Sequence, residues 1–248
     1  MSSNVILRPL FLALVAVLGV GGLGLGLVAC GGDRSGGPKG APSTVVGNAP
    51  DKTLDARTAR VTIDGEQVTA SGVVDLATAT ARLQFRPGPM LIVAGGSTFV
   101  MTNQDHWRRS DGVNQLPASL QGANPLLAVD LLRGVVETDP YGGAEVRGAS
   151  TIRYTVHIDP AQALAQAPPE RVDALRQSLA GSGPGQIRAE VYIDAAGRIR
   201  RVQLPAQLKA GPPVTRVDGE VRGATIDYDD FGVAVDVTAP PPSQVEGP

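Results

Sequence analysis

Cys30 is the single thiol of this 248-residue chain, and it closes the run Leu27-Val28-Ala29-Cys30 at the end of an apolar stretch. A thiolate is the nucleophilic form of cysteine, so its place directly after small residues is the first chemistry to account for. Other reactive groupings are sparse. The two histidines, His106 and His157, fall on separate strand-like segments, with no Cys/His metal spacing, no G-x-S-x-G elbow and no H-E-x-x-H. His157 lies on the polar face of its segment, and His106 precedes Trp107-Arg108-Arg109 near a hairpin end with the aromatic packed inward, so neither is assigned as a base. Asp227, Asp229 and Asp230 bracket Tyr228, yet no glycine or distal Glu follows at calcium-loop positions. They read as a solvated turn. The glycine clusters Gly95-Gly96, Gly142-Gly143 and Gly181–Gly185 lack the lysine and the strand-to-helix context of a phosphate cradle and read as turns. The residues thus give no constellation for turnover, no metal set and no cofactor motif, and the chain reads as a non-enzyme.

The cysteine has a more specific setting. Arg8 precedes about twenty apolar or glycine residues, then small residues, then Cys30, the order of a signal peptide. The four residues ending at Cys30 resemble a bacterial lipobox. That resemblance implies cleavage before Cys30 and a thioether-linked diacylglyceryl anchor on its sulfur, which ties the protein to the extracytoplasmic face of the cell membrane. Two alternatives stand beside it: an uncleaved span over Leu10–Ala29, long enough to cross a bilayer, or cleavage elsewhere with Cys30 incidental. Gly19, Gly21, Gly22, Gly24 and Gly26 disfavour a permanent helix, each costing about 1 kcal/mol relative to alanine. No basic stop-transfer cluster follows Cys30.

The division read from these features is a signal peptide over 1–29, a lipidated Cys30 with a flexible tether over 30–52, one folded domain over 53–240, and a disordered tail over 241–248. Residues 31–50 are mostly Gly, Pro, Ser and other small types, with too little apolar surface for a core. As a coil they span roughly 25 Å, and fully extended about 70 Å. The formal charge of −2 implies neither nucleic-acid binding nor electrostatic adhesion to membranes. A lipidated Cys30 leaves no thiol for a disulfide, so the core must carry stability alone. Arginines far outnumber lysines, with abundant Ala, Gly and Pro, a composition typical of GC-rich genomes such as those of actinobacteria.

Alternation and turn residues then set the elements. Arg60–Ile63 and Gln67–Asp75 flank an Asp64-Gly65 turn, and Thr80–Phe85, Met90–Ala94 and Thr98–Thr102 continue a meander. Asn124-Pro125 opens a leucine-rich helix to Leu132 that is apolar nearly all round, hence buried. Strands follow at Val135–Thr138, Ala144–Arg147 and Thr151–Ile158. Asp159-Pro160 starts a short helix, and Pro169–Leu179 a better one with Val172, Leu175 and Leu179 on one stripe. Ile187–Ile193, Ile199–Leu208, Val214–Arg222, Thr225–Tyr228 and Val233–Val237 supply the remaining strands. About ten strands with two or three buried helices predict an α+β domain with one large antiparallel sheet.

In order and spacing, four stretches resemble the actinobacterial LppX/LprAFG lipoprotein family, itself similar in fold to the LolA/LolB carriers. They are Val93–Val100 leading to Trp107, Gly148–Tyr154 running through Ile158 to Ala161, Val191–Val202, and Tyr228–Gly232 with Val235–Pro240. The resemblance covers about 180 residues and departs at the N-terminus, where Asp51–Thr58 is short and weakly patterned in place of the family's substantial first helix. It implies a strongly curved antiparallel sheet, a half-barrel whose concave face is covered by helices around an apolar cavity for acyl chains of envelope lipids or glycolipids. The implied function is a membrane-anchored lipid carrier, with an acylated lipid or glycolipid as ligand and an envelope transporter as a further partner. Leu83, Phe85, Leu91, Val93, Phe99, Leu127, Leu131, Val172 and Leu175 are the lining candidates, chosen by strand face and helix stripe. The same residues would equally form a solid core, which leaves a closed docking or scaffold module as the alternative.

Overall fold

The computed structural model describes residues 37–65, 68–103, 106–111, 123–180, 185–205 and 223–246. The expected signal peptide, Cys30 and the predicted strand at 214–222 lie outside the described residues. Among the described residues, twelve strands form one unclosed, curved sheet, antiparallel except at one edge. They are β1 (Thr58–Asp64), β2 (Thr69–Asp75), β3 (Thr80–Arg86), β4 (Met90–Ala94), β5 (Ser97–Asn103), β6 (His106–Asp111), β7 (Val135–Val146), β8 (Ala149–Ile158), β9 (Ile187–Asp194), β10 (Ile199–Gln203), β11 (Thr225–Asp229) and β12 (Val245–Glu246). Their order across the sheet is β12-β6-β5-β4-β3-β2-β1-β11-β10-β9-β8-β7. The two meanders of the sequence therefore meet at β1 and β11, where Val61 faces Tyr228 and Ile63 faces Ile226.

One face of the sheet is apolar by period-two alternation and is covered by four helices: α1 (Pro42–Asp55), α2 (Pro125–Leu131), α3 (Pro160–Gln166) and α4 (Val172–Leu179). The caps read from sequence are formed. Asn124 Oδ1 accepts from Leu126 N at 2.9 Å, and Asp159 Oδ1 accepts from Ala161 N at 2.8 Å. Behind α2 the chain turns tightly at Gly134, where a Cβ would come within 2.5 Å of the Asp159 carbonyl oxygen. Only glycine admits α3 this closely.

Four expectations are corrected. The tether does not run to residue 52: Pro42–Asp55 is helical and buries Val45, Val46, Ala49, Pro50 and Thr53 as one stripe. A Gly- and Pro-containing segment has little intrinsic helicity, so packing of that stripe on the sheet fixes the helix. The first helix that sequence pattern failed to reveal is thus present. The two strands expected within 135–147 are one, β7, bulged at Pro140/Gly142. Residues 233–240 take no place in the ladder; they form an extended strap in which Val233, Val235 and Val237 are half-buried and Ala234, Asp236 and Thr238 exposed. The tail expected to be disordered instead carries a 3-10 turn (Pro242–Gln244) and β12, which pairs in parallel with β6 through Val245 and Trp107.

Candidate functional site: the interior between sheet and helices

Of the nine nominated lining residues, Leu83, Phe85, Leu91 and Val93 from β3 and β4, Leu127 and Leu131 from α2, and Leu175 from α4 meet in one buried cluster. Val172 is only half-buried at the start of α4. Phe99 is on the wrong face. In the β4–β5 register Val93 faces Thr98 and Ile92 faces Phe99, so Thr98 and Val100 look toward the helices. Phe99 instead joins Ile92, Ala94 and Trp107 in a second cluster across the sheet, under Val237 and Val245 of the strap and β12. Among the described residues the interior is filled by their own side chains: Leu83, Phe85 and Leu91 are each 1% exposed. Among the described residues, an open cleft of about 520 Å³ lies elsewhere, at Gln84, Pro89, Met90, Met101 and Asn103.

What the sequence did not reveal is the polar framework that holds the helices down. Asp130 of α2, fully buried, accepts from Arg171 Nη1 at 3.1 Å, and Arg171 Nη2 donates to the Leu76 carbonyl oxygen at 2.7 Å. Arg171 Nε is buried with no hydrogen-bond partner among the described residues. Arg133 bridges Asp130 to Asp51 of α1, at 3.5 and 2.7 Å. Burial drives the Asp130 carboxyl above the usual carboxylate range, against the opposing pull of Arg171 and Arg133. Tyr228 Oη of β11 donates to the Pro125 carbonyl oxygen at 2.7 Å, and burial, with Asp130 nearby, raises its phenol far above the ordinary value. On α1, Thr53 Oγ1 accepts from Ile199 N at 2.9 Å while donating to Ala49 O at 2.7 Å. Each pin joins a helix to the sheet or to another helix.

The outer face carries charge. Asp227 is not in a solvated turn: it is buried on β11 and held by Arg201 at 2.6 Å and Arg147 at 3.0 Å. Its side chain points to the outer face because its strand neighbours Ile226 and Tyr228 point inward. No group of three metal-ligating side chains occurs among the described residues. His106 is exposed at the start of β6, and His157 is half-buried on the face opposite Val156 and Ile158.

No family model and no curated protein matches the chain. Solved structures do. LprF from Mycobacterium bovis is similar over 82% of this chain and 98% of its own, at 11% identity and a TM-score of 0.49. The Mycobacterium tuberculosis lipoprotein LppX is similar over 79% and 99%, at 17% identity and a TM-score of 0.47. A LolA superfamily protein from Nitrosomonas europaea is similar over 77% and 93%, at 8% identity and a TM-score of 0.25. The likeness is one of fold. No helix among the described residues is long and apolar enough to cross a membrane.

Proposed function

We propose that this protein is an envelope lipoprotein, anchored through Cys30, that holds acyl chains of a lipid or glycolipid between the sheet and its helices and carries them through the envelope. The observation that supports this reading is the construction of the interior. An apolar sheet face is closed by separate short helices, held by a few identifiable polar pins. Entry of an acyl chain requires α2 and α4 to lift, since the interior is filled. The magnitudes permit it: at about 0.8 kcal/mol per methylene, burying fourteen methylenes contributes on the order of 10 kcal/mol, whereas each neutral hydrogen bond released costs about 1 kcal/mol net and breaking the buried Asp130–Arg171 pair about 3–5 kcal/mol.

The packed interior favours a second reading, a closed module that docks an envelope partner and carries no lipid. Native mass spectrometry of the membrane-extracted chain, followed by organic extraction, separates the two. A stoichiometric non-covalent excess that extracts as acylated lipid is the result expected of a carrier. A bare polypeptide that takes up no added lipid favours the docking module. The mass of the Cys30 peptide reports the anchor independently.

A further inference from the structure

The described chain begins at Gly37, whose missing side chain leaves room for Ile152 of β8; any Cβ there would collide with it. Ile152 faces Gly143 of β7, the strand that ends the sheet on that side. Two residues before Gly143 stands Tyr141, 71% exposed, with the Arg153 guanidinium 3.5 Å above its ring. The large apolar side chains exposed among the described residues are Val136, at 45%, and Tyr141, and both belong to β7. From Gly143, Tyr141 is roughly 7 Å along the strand. The exposed aromatic therefore lies at the same sheet edge as the root of the tether but on the other face, since Ile152 packs toward the helices and Arg153 points away from them.

Seven residue steps separate Gly37 from Cys30, a reach of at most about 25 Å. If Cys30 carries the acyl anchor, this edge cannot leave the bilayer by more than that distance, whereas the β12 edge is free to turn away. Tyrosine suits the lipid–water boundary, with an apolar ring and a polar tip, and a guanidinium matches phosphate geometry. The surroundings are of mixed sign: Glu137 and Asp139 on β7, Arg147 in the following turn, and Glu190 at 3.7 Å from Arg153. Contact of this kind needs no net positive patch.

We propose that the β7 edge is the surface this domain lays on the bilayer, with Tyr141 in the headgroup layer and Arg153 donating to lipid phosphate. This rests on the lipoprotein reading and adds an orientation to it. The test uses the full lipidated chain in phosphatidylethanolamine/phosphatidylglycerol vesicles containing a headgroup-labelled quencher. A fluorophore is placed by Gly143→Cys, where a side chain meets open space, or by Arg108→Cys on β6, at the other end of the sheet. Quenching several-fold stronger at position 143 than at 108, and abolished by adding Tyr141→Asp while flotation persists, is the expected result. Equal quenching on floating vesicles, or stronger quenching at 108, overturns the orientation and leaves the anchor standing. A second label on Cys30, together with loss of flotation, overturns the anchor and the orientation with it.

Discussion

Asp130 and Arg171 form an ion pair 3.1 Å long, sealed between α2 and the start of α4, with the Asp130 side chain wholly buried and that of Arg171 9% exposed. Removing Arg171 leaves the buried Asp130 carboxylate with Arg133 alone, at the longer distance of 3.5 Å. Arg171→Met is expected to cost about 3–5 kcal/mol, read as a lower urea midpoint. Replacing both, Asp130→Leu with Arg171→Met, removes the stranded charge and is expected to recover part of that loss. The recovery stays incomplete because the Leu76 carbonyl oxygen loses its donor. A double variant as unstable as the single one would show that the pair itself, and not the desolvated charge, dominates.

Tyr228→Phe deletes a buried hydroxyl whose partner is the Pro125 carbonyl oxygen at the first turn of α2. Losing that hydrogen bond is expected to cost about 1 kcal/mol. Its location makes the variant more informative than its magnitude. Hydrogen exchange should accelerate in residues 125–131 more than in β9, because the pin acts on the helix. Uniform acceleration would instead mean that Tyr228 stabilises the domain as a whole.

Asp194 gives a pH dependence of known sign. Burial raises its carboxyl, but hydrogen bonds from the Arg198 backbone and from the Arg198 and Arg200 side chains outweigh it and hold the group below the usual carboxylate range. A lowered folded value contributes stability above the unfolded value, about 3.9, and loses it as pH falls through the folded value. Asp194→Asn should therefore be less stable than the parent at pH 7 and approach it in strong acid. Asp130 runs the other way: its raised carboxyl stabilises at low pH and loses that contribution as pH rises through the folded value.

Local chemistry made much of this legible in the sequence. Asn124-Pro125 and Asp159-Pro160 announce helix starts because a cap bonds within its own turn. Alternation placed Leu83 and Phe85 correctly on β3. It failed at β5, where Ser97 and Thr98 are polar yet buried, so the larger side chain of Phe99 suggested the wrong face. Helix α1 was hidden because its composition is that of a linker and its stability comes from the sheet beneath it. The Asp130–Arg171 pair joins residues 41 apart, and Tyr228 reaches back 103 positions. Such pairings are set by topology, and no local pattern carries them.

On the carrier reading the two apolar clusters have different roles, and substitutions in them should differ in effect. Leu83→Trp adds bulk on the helix face, where an acyl chain would lie; Phe99→Leu alters only the outer cluster. Overpacking costs about 1–3 kcal/mol, so each variant is compared at matched folded fraction. The expected outcome is loss of co-purifying acylated lipid for Leu83→Trp and retention for Phe99→Leu. Equal retention in both would count against the sheet–helix interior as the binding site.

Trp107 is the only tryptophan and lies in the outer cluster with Ile92 and Phe99, beneath Val237 and Val245. Its fluorescence therefore reports on the strap. Truncation after Asp236 removes both covering valines while leaving the Val233 carbonyl oxygen that accepts from Thr58 Oγ1 at 2.7 Å. Trp107, at present 6% exposed, should shift its emission to the red and become accessible to iodide, with the sheet intact by circular dichroism. Uncovering Ile92, Phe99 and Trp107 together creates a contiguous apolar patch on the outer face, so self-association should accompany the shift. If emission stays blue in a monomeric truncated chain, the outer cluster is sealed by β4–β6 alone and the strap does not hold it.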